Sequence, residues 1–294
     1  MADDGDGYVP NLAVLVPAGE NLPAGGYLRL WPHGTGWGGV VCSQRKFLQE
    51  TYNARITTIT LPGLVDISST DLRDMLARGK GREYLAPAVY GYILRNGLYG
   101  THADLKHLDF PELRACSYSM VRAKRIPHIM DTEEEAVRLA AHWGADETAA
   151  RRAAILHDCT KYLNLEEQTA LCQQYGVELD ELEQKAVKLL HSKTGACMAK
   201  HVFGEDEQVC CAIYYHTTGR ADMSLLEKII YIADYMEPTR DFDGVEELRR
   251  LAYEDLDAAL ILGMEMTIEE MKERGVPVHK NTQAAHDWLL AHRG

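Results

Sequence analysis

The stretch AIYYHTTGRADMSLLEKIIYIADYMEPTR, residues 212–240, sets the first condition on any fold this chain adopts. It has the pattern of an apolar helix, with Leu226, Ile230 and Asp234 on one stripe and Ile229, Ile232 and Ala233 beside them. Pro238 stops the helix soon afterwards. A carboxylate buried in such a face without a partner costs several kcal/mol, so it either takes up a proton or is met by a cation. For Asp234 alone, an ion pair and a metal ion both stay open.

The texture on either side differs. Residues 1–45 are rich in Gly and Pro, with one apolar run, LAVLVPAG, that reads as a strand, and with GTGWGG, which reads as a loop because no Gly-Lys-Ser/Thr ending follows it. ARITTITLPG alternates like a strand, VDISSTDLRDMLARG reads as a strand running into a capped helix, and PAVYGYILRNGLYG as a short helix ending at Gly. After about residue 105 only helical patterns appear, with capping-box signals at Thr132/Glu135 and Asn164/Glu167. The expected fold is therefore α+β overall: a small α/β segment over 1–104, then an all-α bundle over 105–294.

The bulk numbers narrow the function. With 31 basic and 44 acidic residues the formal charge is −13, which argues against a nucleic-acid or anionic-membrane surface. Seven cysteines (42, 116, 159, 172, 197, 210, 211) contain no CxxC pair, which points to a reducing, cytoplasmic setting. No run approaches the roughly 20 apolar residues of a membrane span, and the start, MADDGDGYVP, is acidic where an export signal is basic.

Histidines mark the helical region. In ETAARRAAILHDCTKYL, residues Ala149, Ala153, His157 and Lys161 share a helix stripe, with Leu156 and Asp158 beside it. His128 precedes an amphipathic pattern, so its helix is expected to begin after it; His191 ends KAVKLLH, and His216 ends VCCAIYYH. Each taken singly reads as a core histidine. Together, in the order H…HD…H…H…D, they suit a metal site.

That order resembles the HD-domain phosphohydrolase superfamily. RIPH (125–128), AAILHDCTK (153–161), LLHSKTGA (189–196), HTTGRADMSLLEKIIYIADYMEPTR (216–240) and PVHKNT (277–282) are similar to its bacterial YqeK branch, over roughly 118–292. The resemblance implies a symmetrical dinucleoside-tetraphosphate hydrolase that cleaves diadenosine tetraphosphate into two ADP with iron, manganese being the alternative. It implies His128, His157, Asp158 and Asp234 on one metal, and His191 and His216 with bridging Asp158 on a second. Catalysis would rest on His157, Asp158 and Lys161, and the phosphates on Arg125, Lys161, Thr217, Thr218, Gly219, Arg220 and Arg240. Glu237 reads either as support behind a metal ligand or, the preferred reading, as a salt partner of Arg240, and Tyr214, Tyr215 and Tyr231 read as core or as base-stacking rings. A homodimer is left open. Rival readings are hydrolysis of another nucleotide and a non-catalytic regulator that senses an alarmone.

ISSTDLR (67–73) with YLAPAVYGYILRNGLYG (84–100) is similar to the C-terminal part of nicotinate-mononucleotide adenylyltransferases, where such a turn faces ATP phosphates. That implies a truncated α/β remnant, since no HxGH-type pair precedes residue 67.

Overall fold

The computed structural model describes residues 12–15, 27–30, 50, 55–58 and 67–293. The chain divides into two compact units, Met1–Leu72 and Arg73–Gly294. The GTGWGG run and Cys42 lie outside the described residues.

Of the first unit, three strands are described: β1 (Leu12–Leu15), β2 (Tyr27–Leu30) and β3 (Arg55–Thr58). They form one sheet in the order β2-β1-β3, with Leu12 opposite Leu30 and Thr58, every pair antiparallel.

The expected α/β nucleotidyltransferase-like segment is thereby corrected. Such a segment needs parallel strands joined by crossover helices. Among the described residues no parallel pair occurs, and outside these short strands the structure is helical. The helix α1 (Ser69–Leu76) has a plain local cap: the Asp71 amide donates to Ser68 Oγ at 3.1 Å, and Ser68 Oγ donates back to Asp71 Oδ2 at 2.5 Å. The short helix expected in PAVYGYILRNGLYG is α2 (Pro87–Arg95), which ends before Gly97 and Gly100 and packs on α3 (Phe110–Tyr118) so closely that a Cβ at Gly91 would run into the Ala115 carbonyl. α2 is thus part of the helical unit, which begins at Arg73.

The bundle continues through α4 (Ile126–Trp143), α5 (Glu147–Leu156), α6 (Leu165–Gln174), α7 (Val187–His201), α8 (Glu207–Tyr215), α9 (Leu225–Met236), α10 (Val245–Glu254), α11 (Leu256–Glu273) and α12 (Lys280–His292). The central helix is α9, packed on α4, α5, α8 and α11. Ile229, Ile230 and Ile232 are completely buried, which explains why its sequence is apolar on nearly every side. A Ser224/Glu227 capping box starts it, and Glu237, forced into extended backbone (φ −49°, ψ 157°) by Pro238, ends it.

Two local expectations fail in instructive ways. The cap signal at Thr132 does not start a helix: α4 runs through it from Ile126, and the Thr132 hydroxyl is buried without a partner. Pro127 near the helix start supplies the stronger signal. The stripe from Ala149 to Lys161 is also broken, because α5 ends at Leu156 and the HD pair sits in the turn that follows. The Asn164/Glu167 capping box is formed as read. Among the described residues, no helix is long and apolar enough to cross a membrane, and Cys116, Cys159, Cys172, Cys197 and Cys210 are buried free thiols.

Candidate metal centre

Each of the four expected histidines stands at or near a helix end. His157 directly follows α5, His216 directly follows α8, His191 lies in the second turn of α7 and His128 in the first turn of α4. Three have the same anchor: Nδ1 lies 2.7 Å from the Ala154 carbonyl in His157, 2.6 Å from the Lys188 carbonyl in His191 and 2.7 Å from the Ile213 carbonyl in His216. A carbonyl oxygen only accepts, so the proton of each neutral ring sits on Nδ1 and Nε2 is left as a bare lone pair. His128, at the start of its helix, uses a side chain instead: its Nδ1 lies 3.0 Å from Glu237 Oε1.

The bare nitrogens converge. His128 Nε2 is 3.2 Å from His157 Nε2, and His191 Nε2 is 3.1 Å from His216 Nε2. Lone pairs aimed at one another at this distance repel unless a cation lies against both. Asp234 Oδ1 lies 3.0 Å from His128 Nε2 and 3.7 Å from His157 Nε2. Asp158 reaches both groups: Oδ2 is 3.7 Å from His128 and 3.6 Å from His157, and Oδ1 is 3.2 Å from His191 and 3.9 Å from His216. Although Lys161 Nζ and His191 Nε2 both lie 3.2 Å from the buried Asp158 Oδ1, that oxygen has no hydrogen bond of good geometry. The overlapping sets His128–His157–Asp158, His157–His216–Asp234 and Asp158–His191–His216 each hold their ligand atoms within 4.8 Å of one another. Neutral imidazoles, carboxylates and an orphaned buried oxygen fit metal ions; the donor set suits iron, manganese or zinc alike.

Burial sets the protonation. It pushes His157 down to about 4 and His216 well below the usual imidazole range, so both are neutral ligands near pH 7. For Asp158 burial acts upward, but the neighbouring His157, His191 and Lys161 outweigh it and hold the carboxyl well below its ordinary range. Asp234 behaves likewise through His128 and His157.

The expected phosphate residues divide. Arg125 is bonded through Nε to Asp158 Oδ2 at 2.5 Å and has Nη2 3.9 Å from Asp234 Oδ1. Lys161 Nζ is 3.0 Å from His191 Nε2, Thr217 Oγ1 3.4 Å from the same nitrogen, and Arg240 Nη2 donates to Asp234 Oδ1 at 2.9 Å. These four border the cluster. Arg220 instead forks onto Glu227 at 2.8 and 2.9 Å, and Thr218 donates to the Gly219 carbonyl. Gly219 has φ +65°, and a Cβ there would run into Met264, a packing constraint on the turn. Tyr231 is core, stacked near Tyr235.

Sequence reasoning undervalued Glu237. It meets His128, as above, as well as Arg240, whose Nε is 3.5 Å away. Arg249 on α10 was missed, and it bonds the carbonyls of Met236, Glu237 and Arg240, each at 2.9 Å. The signal available was the proline at 238, which turns the chain back toward the helix end.

One further acidic and histidine cluster exists among the described residues, Asp180–Glu183–His279. There the Asn281 amide donates to His279 Nδ1 at 3.1 Å, so the neutral ring carries its proton on Nε2, and Lys193 and Lys280 already pair with the carboxylates. That tautomer is the wrong one for a ligand.

A family model described as HD domain matches residues 125–239. The chain is 36% identical over 181 residues to the Bacillus subtilis protein named bis(5'-nucleosyl)-tetraphosphatase, symmetrical, covering 61% of this chain and 97% of that one. To the Halalkalibacterium halodurans protein of the same name it is 41% identical over 167 residues, covering 56% of this chain and 89% of that one. The chain belongs to the HD-domain family. A crystal structure described as a predicted HD superfamily hydrolase involved in NAD metabolism, from Clostridium acetobutylicum, is similar with a TM-score of 0.61 and 41% identity, over 63% of this chain and 98% of that one. The HD-domain match encloses all six candidate ligands and Glu237, and stops before Arg240 and Arg249.

Proposed function

We propose that this HD-domain protein is a symmetrical bis(5'-nucleosyl)-tetraphosphatase that hydrolyses diadenosine tetraphosphate to two ADP. The observation that carries the reading is the pair of apposed imidazole couples, 3.2 and 3.1 Å apart, spanned by the two oxygens of Asp158. His128, His157, Asp158 and Asp234 would hold one metal ion, and Asp158, His191 and His216 a second. Such ions supply a water activated for attack near neutral pH and neutralise charge on the phosphoryl oxygens. Iron is the proposed metal, with manganese the alternative.

The chain's own groups complete the site. Arg125, Lys161 and Arg240 lie against the carboxylates of Asp158 and Asp234. With cations bound, the centre as a whole has positive charge to spare, which suits a polyphosphate in an otherwise acidic protein. Arg125 and Arg240 offer forked donors for non-reacting phosphates, and Lys161 and Thr217 approach from the His191 side. Thr218, Gly219 and Arg220 keep a supporting role in the turn between α8 and α9. The buried free thiols support a reducing compartment, the cytoplasm.

Incubation of metal-loaded protein with diadenosine tetraphosphate, followed by anion-exchange separation, tests this. ADP as sole nucleotide product is expected; AMP with ATP would mean asymmetric cleavage, and tight binding without turnover would make the protein a sensor.

A further inference from the structure

Three of the four histidines are oriented by a carbonyl three residues earlier in their own chain segment, and His128 is not. His157 and His216 stand where α5 and α8 end and turn back on carbonyls that those helices leave unpaired, and His191 reaches back to Lys188 within α7. The first turn of α4 instead offers His128 unpaired N–H groups, which an imidazole N–H cannot use. The ring therefore needs an acceptor from elsewhere in the fold.

Glu237 supplies it. The carboxylate is 1% exposed, comes from the far end of α9 and reaches His128 Nδ1 at 3.0 Å. Its other bonds hold it in place: the Thr239 amide donates to Oε2 at 2.5 Å and the Thr239 hydroxyl to Oε1 at 2.6 Å. Asp234, three residues earlier, faces the opposite nitrogen of the same ring, with Oδ1 3.0 Å from Nε2. One helix end thus grips both nitrogens of one imidazole.

We propose that Glu237 is the positioning residue of the first metal ligand: it fixes the Nδ1–H tautomer and the bearing of His128, and as an anion makes Nε2 a stronger donor than a carbonyl partner does. A carboxylate behind a ligating histidine is worth about 10–100-fold in metal affinity. The inference rests on the metal-centre reading above, so its test must separate the two.

Apoprotein prepared with a chelator is titrated with Mn²⁺, followed by the electron paramagnetic resonance of the free ion, for wild type, Glu237→Ala and Glu237→Gln. Circular dichroism and thermal melting are recorded on the same samples. The expected result is about a 10–100-fold weaker site in Glu237→Ala, with the other site unchanged and the helical spectrum kept. Glu237→Gln, which can still accept from Nδ1–H but lacks the charge, should fall between. Equal affinity in wild type and in a folded alanine variant overturns the role of Glu237 alone. Wild type that binds no Mn²⁺ and contains no metal as isolated overturns the centre and this inference together. Should the alanine variant fail to fold, the glutamine variant decides: wild-type affinity there rejects the proposal.

Discussion

Asp158 is the residue on which the centre turns. Because its two oxygens serve different histidine couples, Asp158→Ala is expected to remove both bound metals, while His216→Ala removes one; elemental analysis of purified protein reads the difference. Loss of the metals removes several kcal/mol of transition-state stabilisation, so Asp158→Ala should lower kcat/KM by about a thousandfold or more. His157 gives a prediction in pH. Its folded value of about 4 lies below the ordinary 6.5, so between the two the unfolded chain binds more protons and stability rises with pH. In metal-free protein His157 should account for about 3 kcal/mol of the stability lost as pH falls from 6.5 to 4, read as the difference in urea unfolding between wild type and a His157→Gln variant. A third test concerns the orphan hydroxyl of Thr132. Thr132→Val keeps the shape without the unmet polar atom and should raise stability by about 1 kcal/mol in thermal melts.

At the level of elements, most of the helices could be read from the chain and most of the turns could not. The apolar pattern of α9 is visible in sequence because complete burial of Ile229, Ile230 and Ile232 leaves few polar positions. The candidate ligands could be picked out as a set because the order H…HD…H…H…D suits a metal site, although each histidine taken singly reads as a core residue. Arg220 was misleading: a cation beside His216 looks available for phosphate until Glu227, seven residues on, is seen to hold it. The α4 start was missed because Thr132 and Glu135 imitate a cap, and the antiparallel order of three four-residue strands has no local sequence mark. Arg249 was invisible for another reason: its three carbonyl partners lie nine to thirteen residues away across a turn. Arg249→Ala should cost about 1.5–3 kcal/mol in melting and should lower metal occupancy along with it, since the turn it holds carries Glu237 and Arg240.

For the molecule as a whole, metal and stability are linked. An ion that binds the folded chain and not the unfolded one adds about 2.7 kcal/mol at a hundred times its Kd. Chelation should therefore lower the melting temperature and re-addition of Mn²⁺ restore it, with no such response in Asp158→Ala. The thiols offer a way to watch this. Burial pushes Cys116, Cys159 and Cys210 up to about 12, and of the described cysteines only Cys211 is partly open to solvent. In a Cys42→Ser background, a brief pulse of thiol reagent on the native chain should then mark one position and on the opened chain six, so the bundle carries its own gauge of how often it breathes.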